Sequence, residues 1–191
     1  MRRLAVLGTA ATVLLAPLTA HAGPVCNLVT DPANDTGLGA PQSPVRTPAH
    51  DITSIDVATG KKTLVVVMRL TSTKITDDPA ASNGMNWQVQ FKIGTVSHVF
   101  KRAVTRDGAF TDTATQDGKA IAGLVVKADA KSITWTVPRT NVPKLKGKNV
   151  MLAQFYSATA STGLSYDYAP DGARPSDKTY MDRTQSCLRP A

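Results

Sequence analysis

Asn86-Trp87-Gln88-Val89-Gln90-Phe91-Lys92-Ile93 is the stretch whose reading decides the fold. Apolar Trp87, Val89, Phe91 and Ile93 alternate with polar Gln88, Gln90 and Lys92. Side chains of a strand point to opposite faces in turn, so this is a β-strand with one face for a core and one for water. Gly94-Thr95 then turns the chain, and Val96–Val104 returns as the hairpin partner. Outward from this hairpin the same period recurs at short spacing. Asp51–Ala58 reads as a strand with imperfect alternation. In Lys62–Thr71, Leu64, Val66, Met68 and Leu70 share one face and Val65 and Val67 the other, the pattern of a central strand covered on both sides. Ala120–Lys127 and Lys131–Pro138 read as a second hairpin around Ala128-Asp129-Ala130, with Ile133, Trp135 and Val137 facing inward. Asn149–Ala158 supplies a further strand, and Cys26–Thr30 a short one. At least seven strands and no helical period predict an all-β chain, an antiparallel β-sandwich of immunoglobulin-like or jelly-roll-like form.

Composition points the same way. All 14 acidic residues are Asp, a turn former, and Glu, a helix former, is absent. Met1-Arg2-Arg3, the apolar run to Leu18 and Ala20-His21-Ala22 read as a signal peptide over residues 1–22. The run is too short and too interrupted for a comfortable membrane span of roughly 20 residues, so no membrane insertion is expected. The mature chain, residues 23–191, is expected to be one secreted, extracellular domain that opens with a turn-laden excursion over residues 25–50. The net charge of +8 falls to +6 once Arg2 and Arg3 are removed. Its Lys and Arg are scattered singly, which argues against a nucleic-acid partner.

Cys26 and Cys187 lie near the two ends of the mature chain. An even count in an exported protein argues for a disulfide, and only one pairing exists within the chain. Closing so long a loop is worth roughly 5 kcal/mol in the chain-entropy model. Two free thiols are the alternative.

Catalytic signatures are missing from the sequence. It has no Gly-x-Ser-x-Gly elbow, no His-Glu-x-x-His and no phosphate-binding Gly-Lys-Ser/Thr loop. His98 reads as a structural or surface residue and His50 as a residue of a surface loop. A non-enzymatic protein is therefore expected. Trp87 and Trp135 could stack on sugars, but both lie in register with the apolar face of their strands, where core packing is the expectation.

Two segments carry candidate ligands. Tyr166-Asp167-Tyr168 lies in a late Gly/Pro-bearing stretch, Gly163–Lys178, that reads as a loop, as does Thr76–Gly84. Rings beside a carboxylate could hold a sugar there; the alternative is a loop clipped to the sandwich edge by its tyrosines. In Asp31-Pro32-Ala33-Asn34-Asp35, the side chains of Asp31, Asn34 and Asp35 are oxygen donors suited to a hard cation such as Ca²⁺. Asx turns and strand punctuation account for the same residues without a metal.

Thr30-Asp31-Pro32-Ala33-Asn34-Asp35, then Asp51-Ile52-Thr53-Ser54-Ile55-Asp56-Val57, then the strand from Lys62 resemble the opening of DOMON-like domains. Those domains are related to family-9 carbohydrate-binding modules and to the C-terminal module of glucodextranase. Ile133-Thr134-Trp135-Thr136-Val137-Pro138-Arg139 and Tyr166-Asp167-Tyr168-Ala169-Pro170 resemble their later strands and closing loop. The resemblance implies a β-sandwich, extracellular placement and ligand binding, with sugars or haem as ligands in different branches. It also implies calcium at Asp31 and Asp35, although Asn34 stands where Gly is usual. The expected function is a secreted, non-enzymatic binding domain for a polysaccharide or cell-envelope component, with a structural calcium ion. An extracellular structural or protein-interaction domain without a small ligand is the alternative. Oligomeric state is left open.

Overall fold

The computed structural model describes residues 29–31, 33, 48–59, 62–75, 84–93, 95–105, 107–142, 153–161 and 166–169. Within them the chain forms β1 (Val29–Thr30), β2 (Ile52–Thr59), β3 (Thr63–Leu70), β4 (Met85–Ile93), β5 (Val96–Val104) and β6 (Phe110–Gln116). It continues through β7 (Lys119–Ala120), β8 (Val125–Ala128), β9 (Ser132–Pro138), β10 (Ala153–Ser161) and β11 (Tyr166–Ala169). A 3-10 turn, Arg139–Asn141, follows β9. One sheet has the order β1-β2-β3-β9-β8 and the other β11-β10-β4-β5-β6-β7, all neighbours antiparallel. The chain is an all-β sandwich.

The alternation of residues 86–93 is realised in β4, where Trp87, Val89, Phe91 and Ile93 are buried and Gln88, Gln90 and Lys92 half-buried. From the facing sheet Leu64, Val66, Met68 and Leu70 of β3 and Ile133, Trp135 and Val137 of β9 enter the same core. Both indoles are core residues, as their register requires. β3 lies between β2 and β9, and on its outer face Val67 is buried as well. β3 is the central strand that its run of aliphatics predicts, but its outer face is covered only in part: Val65 there is half-buried.

Three expectations need correction. Ala120–Lys127 is not one strand: Lys119–Ala120 pairs with β6 in one sheet, and Val125–Ala128 pairs with β9 in the other. Gly123 makes the crossing, with φ +77°, and a Cβ there would come within 2.9 Å of the Pro138 ring. An L side chain meets a steric barrier on both counts. Secondly, Tyr166-Asp167-Tyr168 is strand rather than loop, paired to β10 in the register Ser161↔Tyr166, Ala160↔Asp167 and Thr159↔Tyr168. Thirdly, β6 is a strand where none was expected. The expected signal segment, Cys26, Asn34, Asp35 and Cys187 lie outside the described residues. No helix of the described residues is long and apolar enough to cross a membrane.

Candidate functional site

Start from the backbone of β2. Its outer neighbour β1 reaches it only at Ile55 and Ser54, after which Asp31 N–H donates to Thr53 O at 3.1 Å. The pairing of β2 with β3 shifts between Ile52 and Ser54, so Thr53 is a bulge. The Ile52 N–H lies beyond the β1 ladder and is buried. A buried amide without an acceptor costs on the order of 1–3 kcal/mol. Asp167 of β11 meets it: its Oδ2 accepts from Ile52 N at 2.7 Å, and the residue is only 4% exposed. β2 and β11 belong to different sheets, so this charge-assisted bond joins the two layers. Beside it, Ser72 N–H donates to Pro48 O and Thr71 N–H to Asp51 O, and the Thr71 hydroxyl donates to the Asp51 carboxylate. This holds Pro48–Asp51 against the end of β3. The Trp87 indole N–H donates to Ala49 O at 2.9 Å.

Asp167 facing inward fixes the register of its neighbours. By backbone register, positions 166 and 168 flank the buried Asp167 in the rows of Asn86 and Gln88. One row runs Tyr168, Thr159, Gln88, Lys101, Thr113, and the next runs Tyr166, Ser161, Asn86, Ala103, Thr111. A third runs Ser157, Gln90, Val99, Thr115, and a fourth Gln154, Lys92, Ser97. Gln88, Gln90 and Asn86 are half-exposed, and Thr111 and Thr113 exposed. Amide groups donate and accept, and so do hydroxyls, so the face offers a lattice of two-way hydrogen-bonding groups.

No described Asp lies on this face. Asp51, Asp56 and Asp167 are buried, Asp107 and Asp129 cap turns, and Asp112 lies in the inner row with Arg102 and Trp87. Asp117 stands at the rim, in the β6–β7 turn, where Oδ1 accepts from Ser97 N–H at 2.9 Å.

The two histidines among the described residues, His50 and His98, are interior. His50, expected in a surface loop, is 0% exposed because Pro48–Asp51 is drawn onto the end of the core. His98 is also 0% exposed; its ring stacks on Phe91 with centroids 5.3 Å apart, and Nδ1 lies 3.1 Å from Val96 O. Burial holds its pKa below the usual histidine value, opposed by the Val96 carbonyl, the Asp117 carboxylate and Gln116. A folded pKa below the unfolded one means the unfolded chain binds the extra proton first. Stability from this group is complete above the unfolded value of about 6.5 and declines as pH falls toward the folded value. Thermal melts should therefore show a lower melting temperature at pH 5 than at pH 7.5, and His98→Phe, which preserves the stack, should shrink that difference. An unchanged pH profile in His98→Phe would remove His98 as its source.

Two further ionic contacts are structural. Arg102 reaches Asp112 at 3.3 Å and stacks its guanidinium over the Phe110 ring, 4.1 Å from the centroid. Partial burial raises the Asp112 pKa, with Arg102 pulling it down. On the outer face of the five-stranded sheet Arg69 pairs with Asp56, which is 0% exposed, and lies 3.4 Å from Ser54 Oγ.

Of the candidate residues, Asp31 is buried just past β1, and the described residues hold no group of three or more His, Cys or Asp that could bind a metal. Asn34 and Asp35 fall outside the described residues. By register Tyr166 and Tyr168 stand in the rows of Asn86 and Gln88, whereas Asp167 is buried. Sequence reasoning assigned no role to Gln88, Gln90, Lys101 or the β6 threonines. Their outward alternation was the available signal. The chain matches no protein-family model, no curated protein and no solved structure.

Proposed function

We propose that this chain is a secreted, non-enzymatic glycan-binding domain whose binding surface is the outer face of the six-stranded sheet. One observation carries the reading: rows of Asn, Gln, Thr and Ser cross this sheet and end, on β11, at Tyr166 and Tyr168. Sugars present many hydroxyls that both donate and accept, and flat ring faces that favour an aromatic surface. A rigid sheet holds its polar groups in place before binding, so little ordering entropy is lost on association. Among the described residues His50 and His98 are 0% exposed, out of reach of a solute as general bases, which supports a binding role over hydrolysis.

The test is retention on a panel of insoluble and soluble polysaccharides, followed by titration of whichever binds. Gln88→Ala and Tyr168→Ala should each weaken binding by roughly three- to tenfold, the loss of about one hydrogen bond or stacking contact. Absence of retention on every polysaccharide, with recovery of one protein partner instead, would favour the interaction-domain alternative.

Calcium remains a separate proposal for the segment after β1, where Asp31, Asn34 and Asp35 would be the donors. If the ion is held there, EDTA should lower the melting temperature and added Ca²⁺ should restore it. A melt unaltered by EDTA removes the calcium without touching the glycan reading.

A further inference from the structure

Asp107-Gly108 and Asp117-Gly118 form exposed turns on either side of β6. In such a pair the glycine nitrogen can attack the carboxyl group before it, because the glycine carries no side chain to shield it. Both turns are open, since a Cβ at either glycine would meet nothing within 4 Å. Their hydrogen bonds differ. At the first turn Gly108 N–H donates to Thr105 O at 2.9 Å, which commits its nitrogen. The Thr105 hydroxyl and Ala109 N–H both donate to the Asp107 carboxylate. Together they hold that carboxyl below the usual carboxylate range, in the ionised form that is the poorer electrophile. At the second turn Asp117 Oδ1 accepts from Ser97 N–H and Asp117 N–H donates to Ser97 O. No hydrogen bond among the described residues engages Gly118 N–H. Asp117 also holds φ 47°, a conformation that few L residues adopt.

We propose that Asp117-Gly118 is a site of spontaneous backbone modification, where aspartate isomerises to isoaspartate through a cyclic imide. Gly118 N attacks Cγ of the protonated Asp117 carboxyl group. The N–Cγ bond forms, the amide proton is lost and the carboxyl hydroxyl leaves as water. Water then adds to the former main-chain carbonyl of Asp117 and breaks its bond to Gly118 N. The chain now runs through Cβ and Cγ of residue 117, and the old main-chain carbonyl becomes a free carboxylate. The water released in the first step is regained in the second, so composition is unchanged and no other reactant is consumed. One methylene is added to the main chain of a two-residue hairpin turn. The pairs Gln116↔Lys119 and Thr115↔Ala120 depend on the length of that turn.

The test is incubation of the folded full chain at pH 6, with isoaspartate at each position followed by electron-transfer mass spectrometry of its peptides. Two synthetic peptides, one around each Asp-Gly pair, give the rate of each pair without the fold. Dividing each rate in the chain by that of its own peptide isolates what the structure contributes. Position 117 should then isomerise about fivefold faster than position 107, the factor that one hydrogen bond on Gly108 N supplies. Equal normalised rates, or a faster one at 107, overturn the proposal. So does an unmodified position 117 in the chain after its peptide has converted.

Discussion

Arg69→Met should destabilise the fold by about 3–5 kcal/mol, the range for removing one partner of a buried ion pair. The reason lies in the asymmetry of the pair. Arg69 keeps 23% side-chain exposure, so its charge stays partly solvated, whereas Asp56 has 0% and pairs with the guanidinium. Met retains the aliphatic stem that covers the sheet and removes only the charge. The carboxylate left behind is then buried beside Val67, its register partner on β3. Urea denaturation monitored by tryptophan fluorescence measures the loss. Combining Arg69→Met with Asp56→Leu should recover most of it, because an apolar pair needs no desolvation of charge. A single variant within about 0.5 kcal/mol of the parent would show that other groups already neutralise Asp56.

Asp167→Ala should cost about 2–3 kcal/mol, the value of a charge-assisted bond whose loss leaves a buried amide unpaired. Asp167→Asn keeps one acceptor oxygen for Ile52 N–H and should cost roughly half as much. This bond also positions β11, an edge strand of the described sheet, against β2. On the glycan-binding proposal above, its loss should also weaken binding by loosening β11, the strand that carries Tyr166 and Tyr168. Amide hydrogen exchange reads the effect directly: protection at Ile52 should fall in Asp167→Ala well before the central strands respond. Equal protection in parent and variant would sink this account.

The strands that were legible share one property, a local period with strongly apolar residues on the inner side. β4, β5, β3 and β9 have it, and the β4–β5 and β8–β9 hairpins join neighbours in sequence. β6 has the period too, but two of its inner positions are Asp112 and Gln116, so hydropathy does not mark it. Asp107-Gly108 and Asp117-Gly118 bracket it, and the second is a two-residue hairpin turn with φ of 47° and 77°, the left-handed pair that Asp-Gly favours. Turn chemistry would have found the strand where hydrophobicity did not. Tyr166-Asp167-Tyr168 reads as a polar loop because the residue that faces inward is a carboxylate.

The alternation of side chains along each strand, with turn residues between, determined that this chain is a layered β protein and which residues form its core. That information is local, because a strand's two faces are written in adjacent residues. Tertiary structure decided which strands neighbour one another, that Asp167 turns inward, and that two tyrosines join the amide rows of β4. The inward turn of Asp167 satisfies one backbone N–H, that of Ile52, lying 115 positions away. A buried donor must find an acceptor wherever the fold can bring one, and no periodicity in the sequence encodes that meeting.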